Sequence, residues 1–350
     1  MKRFGKGFKE IFAILLVGSL VFLPVSGWAQ KAEQKVSDDL AFYKGKTVIW
    51  IVATKAGGGY DAYARMISPF LQKYLPGSTV IVKNVPGAGH IIGTNELYES
   101  KPDGLTLGIF NPGLIFQQLS GNKSIRFDLG KLTYLANAIS IPRVFIVSTK
   151  SPYKTFDEVV KNAGKVVTAS AGVGSASHND ILMLNKIFGI NMKIVAGFAG
   201  QEADLAMLRG EVTGQIGQSD QMDQLIENGQ ARGVLIIGGT SVDPKKYPQG
   251  KLLSDIAPKS GESLAHLMAA IAAVSRPLAA PPGLSDGRAR ALRDALWRAM
   301  NDSELQKMAN QAKLYVQPIS AEETGKMVKA ALVQPPDVID LVKEMAREEK

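Results

Sequence analysis

The chain has no cysteine, which excludes disulfides, thiolate catalysis, cysteine-based metal sites and acylation as a lipoprotein. Histidine is scarce: His90, His178 and His266 are too scattered for a transition-metal site. No GxxxxGK[ST] occurs, so there is no P-loop, and no true GxGxxG follows a strand, because Gly87-Ala88-Gly89 has its next glycine at Gly93. Beyond the N-terminus no apolar run is long enough to span a bilayer. Lysines and arginines are scattered, so nucleic acid is not an expected partner. Neither a cofactor nor a metal is expected.

What is present reads as an exported globular protein. Lys2, Arg3, Lys6 and Lys9 precede an apolar stretch from Ile11 to Val25, and Gly27-Trp28-Ala29 offers small residues for cleavage. This is the layout of a Sec-type signal peptide over residues 1–29, cut near Ala29, and it places the mature chain in the periplasm. The leader carries four basic residues and Glu10, so +3 of the net +9 leaves with it and +6 remains. That charge gives a mild attraction for anionic ligands. Hydrophobic residues make up 45% and charged residues 21%, enough for a packed core without disulfides.

The remaining chain repeats one supersecondary unit. Thr47 to Ala53 is a β-branched strand that stops at Gly57, Gly58 and Gly59, and Tyr63, Met66, Ile67, Phe70, Leu71 and Tyr74 then recur at helical spacing. Ser78 to Val85, the turn PGAGH, a helix over Ile91 to Ser100 and a strand over Leu105 to Asn111 repeat the grammar. Arg143 to Lys150 and Lys165 to Ser170 open a second set of strands, with helices at Asn179 to Gly189, Gln201 to Gly210 and Asp220 to Gly229 between further strands. Leu267 to Pro277 reads as a strand and Asp286 to Met300 as a helix, with more helix to the end. Such βαβ repetition predicts mostly parallel sheets in two α/β lobes, with ligands beyond the C-terminal strand ends, where every glycine loop falls.

These loops suit an anion. A helix N-terminus offers free N–H donors and partial positive charge, and glycine lets a ligand approach the backbone. A tight turn alone also accounts for the glycine triplet. Asp61 follows it and would repel an acid, so it is expected to turn back onto backbone N–H groups or to order a bridging water; a plain first-turn acid is the other reading. In GVGSASHND, Ser175, Ser177, His178 and Asp180 raise the question of a serine hydrolase, but the stretch lacks the GxSxG elbow and packs the triad into one short run. Ser177 as a helix cap with Asp180 completing a capping box is the simpler expectation.

Together, Ala56 to Gly77 (AGGGYDAYARMISPFLQKYLPG), Asn84 to Gly104 (NVPGAGHIIGTNELYESKPDG), Ala171 to Asp180 (AGVGSASHND) and Gly197 to Val212 (GFAGQEADLAMLRGEV) resemble the periplasmic solute receptors of tripartite tricarboxylate transporters, also called Bordetella uptake gene receptors. The resemblance covers essentially the whole mature chain. It implies a type II periplasmic-binding-protein fold, an α/β architecture whose lobes close on a small organic carboxylate, and delivery to a membrane permease without catalysis, the receptor acting as a monomer. Sensing for a membrane kinase is the alternative role. The ligand-binding positions it implies are Gly57, Gly58, Gly59 and Asp61, then Gly87, Ala88 and Gly89, and in the second lobe Ser170, Gly174, Ser175, Ser177, His178, Phe198, Ala199 and Gly200. Lobe 1 is expected over 30–140 plus 240–350 and lobe 2 over 141–239, with the hinge near Ser140 to Pro142 and Gly238 to Gly261. Thr213 stands where the family often has aspartate, and Phe198 where it commonly has tyrosine.

Overall fold

The computed structural model describes residues 39–198, 201–239 and 243–348. The expected signal peptide, Ala199 and Gly200 lie outside these residues. In chain order the strands are β1 (Thr47–Val52), β2 (Thr79–Asn84), β3 (Thr106–Ile109), β4 (Thr133–Asn137), β5 (Arg143–Ser148), β6 (Val167–Ser170), β7 (Lys193–Ala196), β8 (Gly214–Gln218), β9 (Ala231–Ile237), β10 (Lys251–Leu252), β11 (Pro277–Ala280) and β12 (Ile319–Ser320). They form two six-stranded sheets, ordered β12-β4-β11-β3-β1-β2 and β10-β9-β5-β8-β6-β7.

Both sheets are mixed, which corrects the expectation of mostly parallel strands. The pairs made by βα units are parallel, such as β1 with β2 and β3, and β6 with β7 and β8. β11 runs antiparallel to both its neighbours in the first sheet, and β5 does so in the second. These are the first strands the chain lays down after arriving from the other sheet, so they enter from the opposite end.

The central strands are covered on both faces, as their apolar runs require, while the edge strands β2 and β7 are partly exposed. In β1, Val48, Trp50 and Val52 pack into one apolar cluster with Tyr63, Ile67 and Leu71 of the helix Gly59–Tyr74, while Ile51 joins another cluster. In β5, Val144 and Ile146 face one cluster and Phe145 and Val147 another. The cluster holding Ile51 also holds Phe145, so one core runs through both sheets.

Leu267 to Pro277 does not form one strand. The helix Glu262–Ala273 occupies most of it and β11 begins only at Pro277. The helix packs against Ala176–Phe188 beside the second sheet and Ala321–Leu332 beside the first. Its large apolar residues Leu264, Leu267, Met268 and Ile271 do recur at helical spacing, but alanines fill the positions between them, so the run from Leu267 reads as continuously apolar; those alanines favour helix over strand. The strand β4 and the helix Leu114–Leu119 have no counterpart in the sequence reading. β10 pairs with β9, so the chain is still in the second sheet at Leu252.

The helix Gly59–Tyr74 continues through Pro69, which cannot donate to the Arg65 carbonyl; the Ser68 hydroxyl donates to that oxygen instead, at 3.4 Å. Its C-terminal end is tied to Asp302, the N-cap of Ser303–Gln311. Lys73 Nζ and Tyr74 Oη each donate to Asp302 Oδ2 at 2.7 Å, and these bonds hold the carboxyl down to about 2. A folded value below the ordinary 3.8 stabilises above that pH and is lost as pH falls through the folded value. Asp302→Ala is therefore expected to unfold at lower denaturant than the parent at neutral pH, with the gap narrowing between pH 3.8 and about 2.

Candidate functional site

A cavity of about 450 Å³ lies between the sheets, at the C-terminal ends of β1, β2, β6 and β8. The first sheet contributes Thr54, Lys55, Gly58, Gly59, Tyr60 and the loop Pro86 to His90. The second contributes Arg143, Ser170, Ser175, Ser177 and Phe198, with Asp204, Gln215, Gln218, Gln221 and Met222.

The first glycine loop is organised from behind. Asp61 is buried and accepts from the Gly57 N–H at 2.9 Å, Asn84 Nδ2 at 2.9 Å and Arg65 Nε at 3.0 Å. Burial raises its pKa, but the bonds from Arg65, Gly57 and Asn84 outweigh that and hold it below the usual carboxylate range. Asp61 thus turns back, and neither it nor Gly57 lines the cavity. The N-terminus of Gly59–Tyr74, with Gly58 as N-cap, has no side-chain cap, and its first N–H groups stand in the cavity wall.

The second loop is left-handed at Ala88, Gly89 and His90, with φ of 46°, 60° and 80°. For Ala88 and His90 this is strained backbone. A Cβ at Gly89 would stand 2.7 Å from the Val173 carbonyl oxygen of the opposite lobe, so glycine is what lets the loops meet. His90 Nδ1 donates to the Ala53 carbonyl at 2.9 Å, and burial pushes its pKa down, keeping the ring neutral.

In the second lobe the helix Ala176–Phe188 starts earlier than expected. Ser175 is its N-cap, accepting from the His178 N–H, and there is no capping box at Ser177. Ser177 lies in the first turn, and its hydroxyl accepts from the Ala171 N–H at 3.1 Å, closing the loop. Ser170 Oγ meets His178 Nδ1 at 3.3 Å behind the wall. Gly174 and His178 do not line the cavity, whereas Gly58, Gly59, Gly87, Ala88, Gly89, Ser170, Ser175, Ser177 and Phe198 do.

Sequence reasoning missed much of the polar wall. Arg143 opens β5 and is buried against Asp180, Nε to Oδ2 at 2.5 Å. Gln215 and Gln218 sit in β8, where glutamines in a buried strand were a usable signal. Thr54 Oγ1 and Gln218 Oε1 are buried without a hydrogen-bond partner among the described residues. Beside the cavity, the Arg276 guanidinium lies 4.6 Å from the Tyr60 ring and 4.9 Å from Tyr63, and reaches Asp220 Oδ2 at 3.1 Å.

Removing one member of a buried pair strands the other. Asp180→Ala is expected to cost about 3–5 kcal/mol in denaturant unfolding, and the double replacement Arg143→Met with Asp180→Leu less than the sum of the single changes.

The family described as tripartite tricarboxylate transporter family receptor matches residues 63–342. A relative from Pseudomonas sp. strain P51, a UPF0065 protein in the tcbD-tcbE intergenic region, is 27% identical over 231 residues, covering 63% of this chain and 65% of that one. The chain spans from about half to about two thirds of the length of the curated relatives it matches. Among solved structures, the periplasmic binding protein BugD superposes with a TM-score of 0.70 at 23% identity, over 87% of this chain and 99% of that one. MatC from Rhodopseudomonas palustris, solved with bound malate, superposes at 0.66 and 20% identity, over 86% and 98%. These likenesses establish a two-lobed fold of the periplasmic-binding-protein kind, and the family match over most of its length makes this chain a member of the tripartite tricarboxylate transporter receptor family.

Proposed function

We propose that the chain is an exported, periplasmic solute receptor that captures a small organic carboxylate between its lobes and hands it to the membrane subunits of a tripartite tricarboxylate transporter. It acts as a monomer and catalyses nothing. The observation that carries this reading is the uncapped N-terminus of Gly59–Tyr74 in the cavity wall, freed because Asp61 is committed to Gly57, Asn84 and Arg65. The start of Ala176–Phe188 supplies a second helix N-terminus from the other lobe, with Ser175 and Ser177 hydroxyls. Malate in MatC supports the ligand class. Against a serine hydrolase stand the Asp180 carboxylate, occupied by Arg143, and the Ser175 hydroxyl, which meets Ser177 Oγ at 3.2 Å.

Residues 1–29 are the leader in this reading. The lobes divide at 138–142, between β4 and β5, and again between β10 and β11, with closure about these crossings.

The test is a thermal-shift screen of the folded chain against organic acids. A ligand at one hundred times its Kd stabilises by about 2.7 kcal/mol, a shift of several degrees. Gly59→Val is expected to abolish that shift, because a Cβ there already meets Arg276 Nη2 at 2.8 Å and the Gln221 side chain at 3.0 Å. Gly164→Ala, in open space, is expected to keep it. Folded protein that responds to no acid overturns the carboxylate reading.

A further inference from the structure

One carboxylate in the cavity wall has no cation among the described residues. Asp204, in the first turn of the helix Glu202–Arg209, lines the cavity from the second lobe. Gln215 Nε2 of β8 donates to its Oδ1 at 2.6 Å. Among the described residues Oδ2 has no hydrogen-bond partner, and no lysine or arginine pairs with Asp204. The other charges of the wall are matched: Arg143 binds Asp180 at 2.5 Å, and Lys55 faces Glu202 at 4.0 Å. Phe198, Ala203 and Met222 make the surroundings of this part of the wall apolar.

The helix dipole favours an acid in a first turn, yet it places no demand on where the acid points, and the exposed Glu202 already serves it. The Gln215 bond is what holds Asp204 at the cavity. A part-buried carboxylate with one idle oxygen is stabilised by a donor, most strongly a cationic one. It also repels a ligand made only of carboxylates. A second, independent observation points the same way: Gln218 Oε1, in the same wall and buried, is an acceptor with no donor among the described residues. Burial pushes the Asp204 carboxyl up against the opposing pull of the Gln215 bond, the response of a site that lacks its counter-charge.

We propose that Asp204, held by Gln215, receives a protonated amino group of the ligand, so that this receptor takes an amino-substituted organic acid whose carboxylate lies at the helix N-termini. The proposal rests on the carboxylate-receptor reading and adds the opposite end of the ligand. Asp204 then determines specificity: it accepts an ammonium and discriminates against a plain diacid of the same length.

Calorimetric titration of the purified chain at pH 7 tests this with acids that differ by one amino group: succinate and aspartate, glutarate and glutamate, butyrate and 4-aminobutyrate, hexanoate and 6-aminohexanoate. In at least one pair the aminated acid is expected to bind at least about tenfold more tightly than its partner. Asp204→Asn is expected to erase that preference while leaving the plain acid's affinity unchanged or improved. Plain acids that bind as tightly as their aminated partners overturn the proposal and leave the carboxylate reading standing. Loss of both affinities alike in Asp204→Asn also overturns it, since a merely structural role predicts that result. Absence of binding by every acid overturns both readings. Should Asp204→Asn fail to fold, the preference of the unaltered chain within each pair decides alone.

Discussion

The Asp61 carboxylate is the point on which the first half of the site depends. It gathers the Gly57 N–H, the Asn84 amide at the end of β2 and the Arg65 guanidinium one turn along its own helix. Three separate pieces of chain are thereby fixed around one buried charge. Helix-starting acids usually cap the N–H groups of their own first turn. Here the acid is consumed from behind, and the helix end is left open toward the cavity. Arg65 and the two neutral donors also offset its charge, so an anion a few ångströms away meets a site that is electrostatically closer to a dipole than to a carboxylate.

The lobes are joined by two different kinds of contact. On the side away from the cavity the join is apolar: the helix Glu262–Ala273 packs against helices of both lobes, within the core cluster that includes Ile51 and Phe145. Next to the cavity it includes polar links, such as Gln218 Nε2 donating to the Ser275 carbonyl at 2.8 Å. Arg276, preceding β11, carries its guanidinium past Tyr60 and Tyr63 to Asp220 at the start of Ser219–Glu227. A charge buried this deeply is tolerable only with a partner, and the two rings add cation–π attraction. Any motion that draws Ser219–Glu227 away from the first sheet breaks this pair and strands both charges. The apolar side has no such all-or-none contact. Opening is therefore resisted by an electrostatic link at the cleft, while continuous packing holds the back.

The glycine loops were legible because their chemistry is local. A strand that stops at Gly57-Gly58-Gly59 and a helix that starts there leave little choice of conformation, and the family resemblance built on such loops agrees with a match over residues 63–342. The hidden parts were those set by tertiary surroundings. In Glu262–Ala273 the helical spacing of Leu264, Leu267, Met268 and Ile271 is masked by alanines at the half-exposed positions between them, and only the packing against both lobes shows which face is buried. β4 gave no signal because TYLAN is short and only its position beside β11 makes it a strand. Arg143, Asp204 and Arg276 are unremarkable in sequence. Their importance comes from partners 37, 11 and 56 residues away.

The same distinction separates family from ligand. In the binding mode proposed above, the anion end is built largely from backbone N–H groups, which any sequence with the right glycines supplies, so its motif identifies the receptor family and says little of what is bound. The other end is built from side chains on β8 and the helices that follow β7 and β8, where substitution is free to change the ligand. The two departures from the family pattern divide along this line. Thr213 accepts from the Val167 N–H at 3.1 Å, joining β6 to β8, and it is absent from the cavity wall, so its replacement of an aspartate leaves the site untouched. Phe198 is in the wall, and without a phenolic hydroxyl it gives the ligand an apolar face in place of a donor. With that donor gone, the polar side chains that the second lobe presents to the cavity are Arg143, Ser170, Ser175 and Ser177 at one part of the wall and Asp204 with Gln215, Gln218 and Gln221 at another.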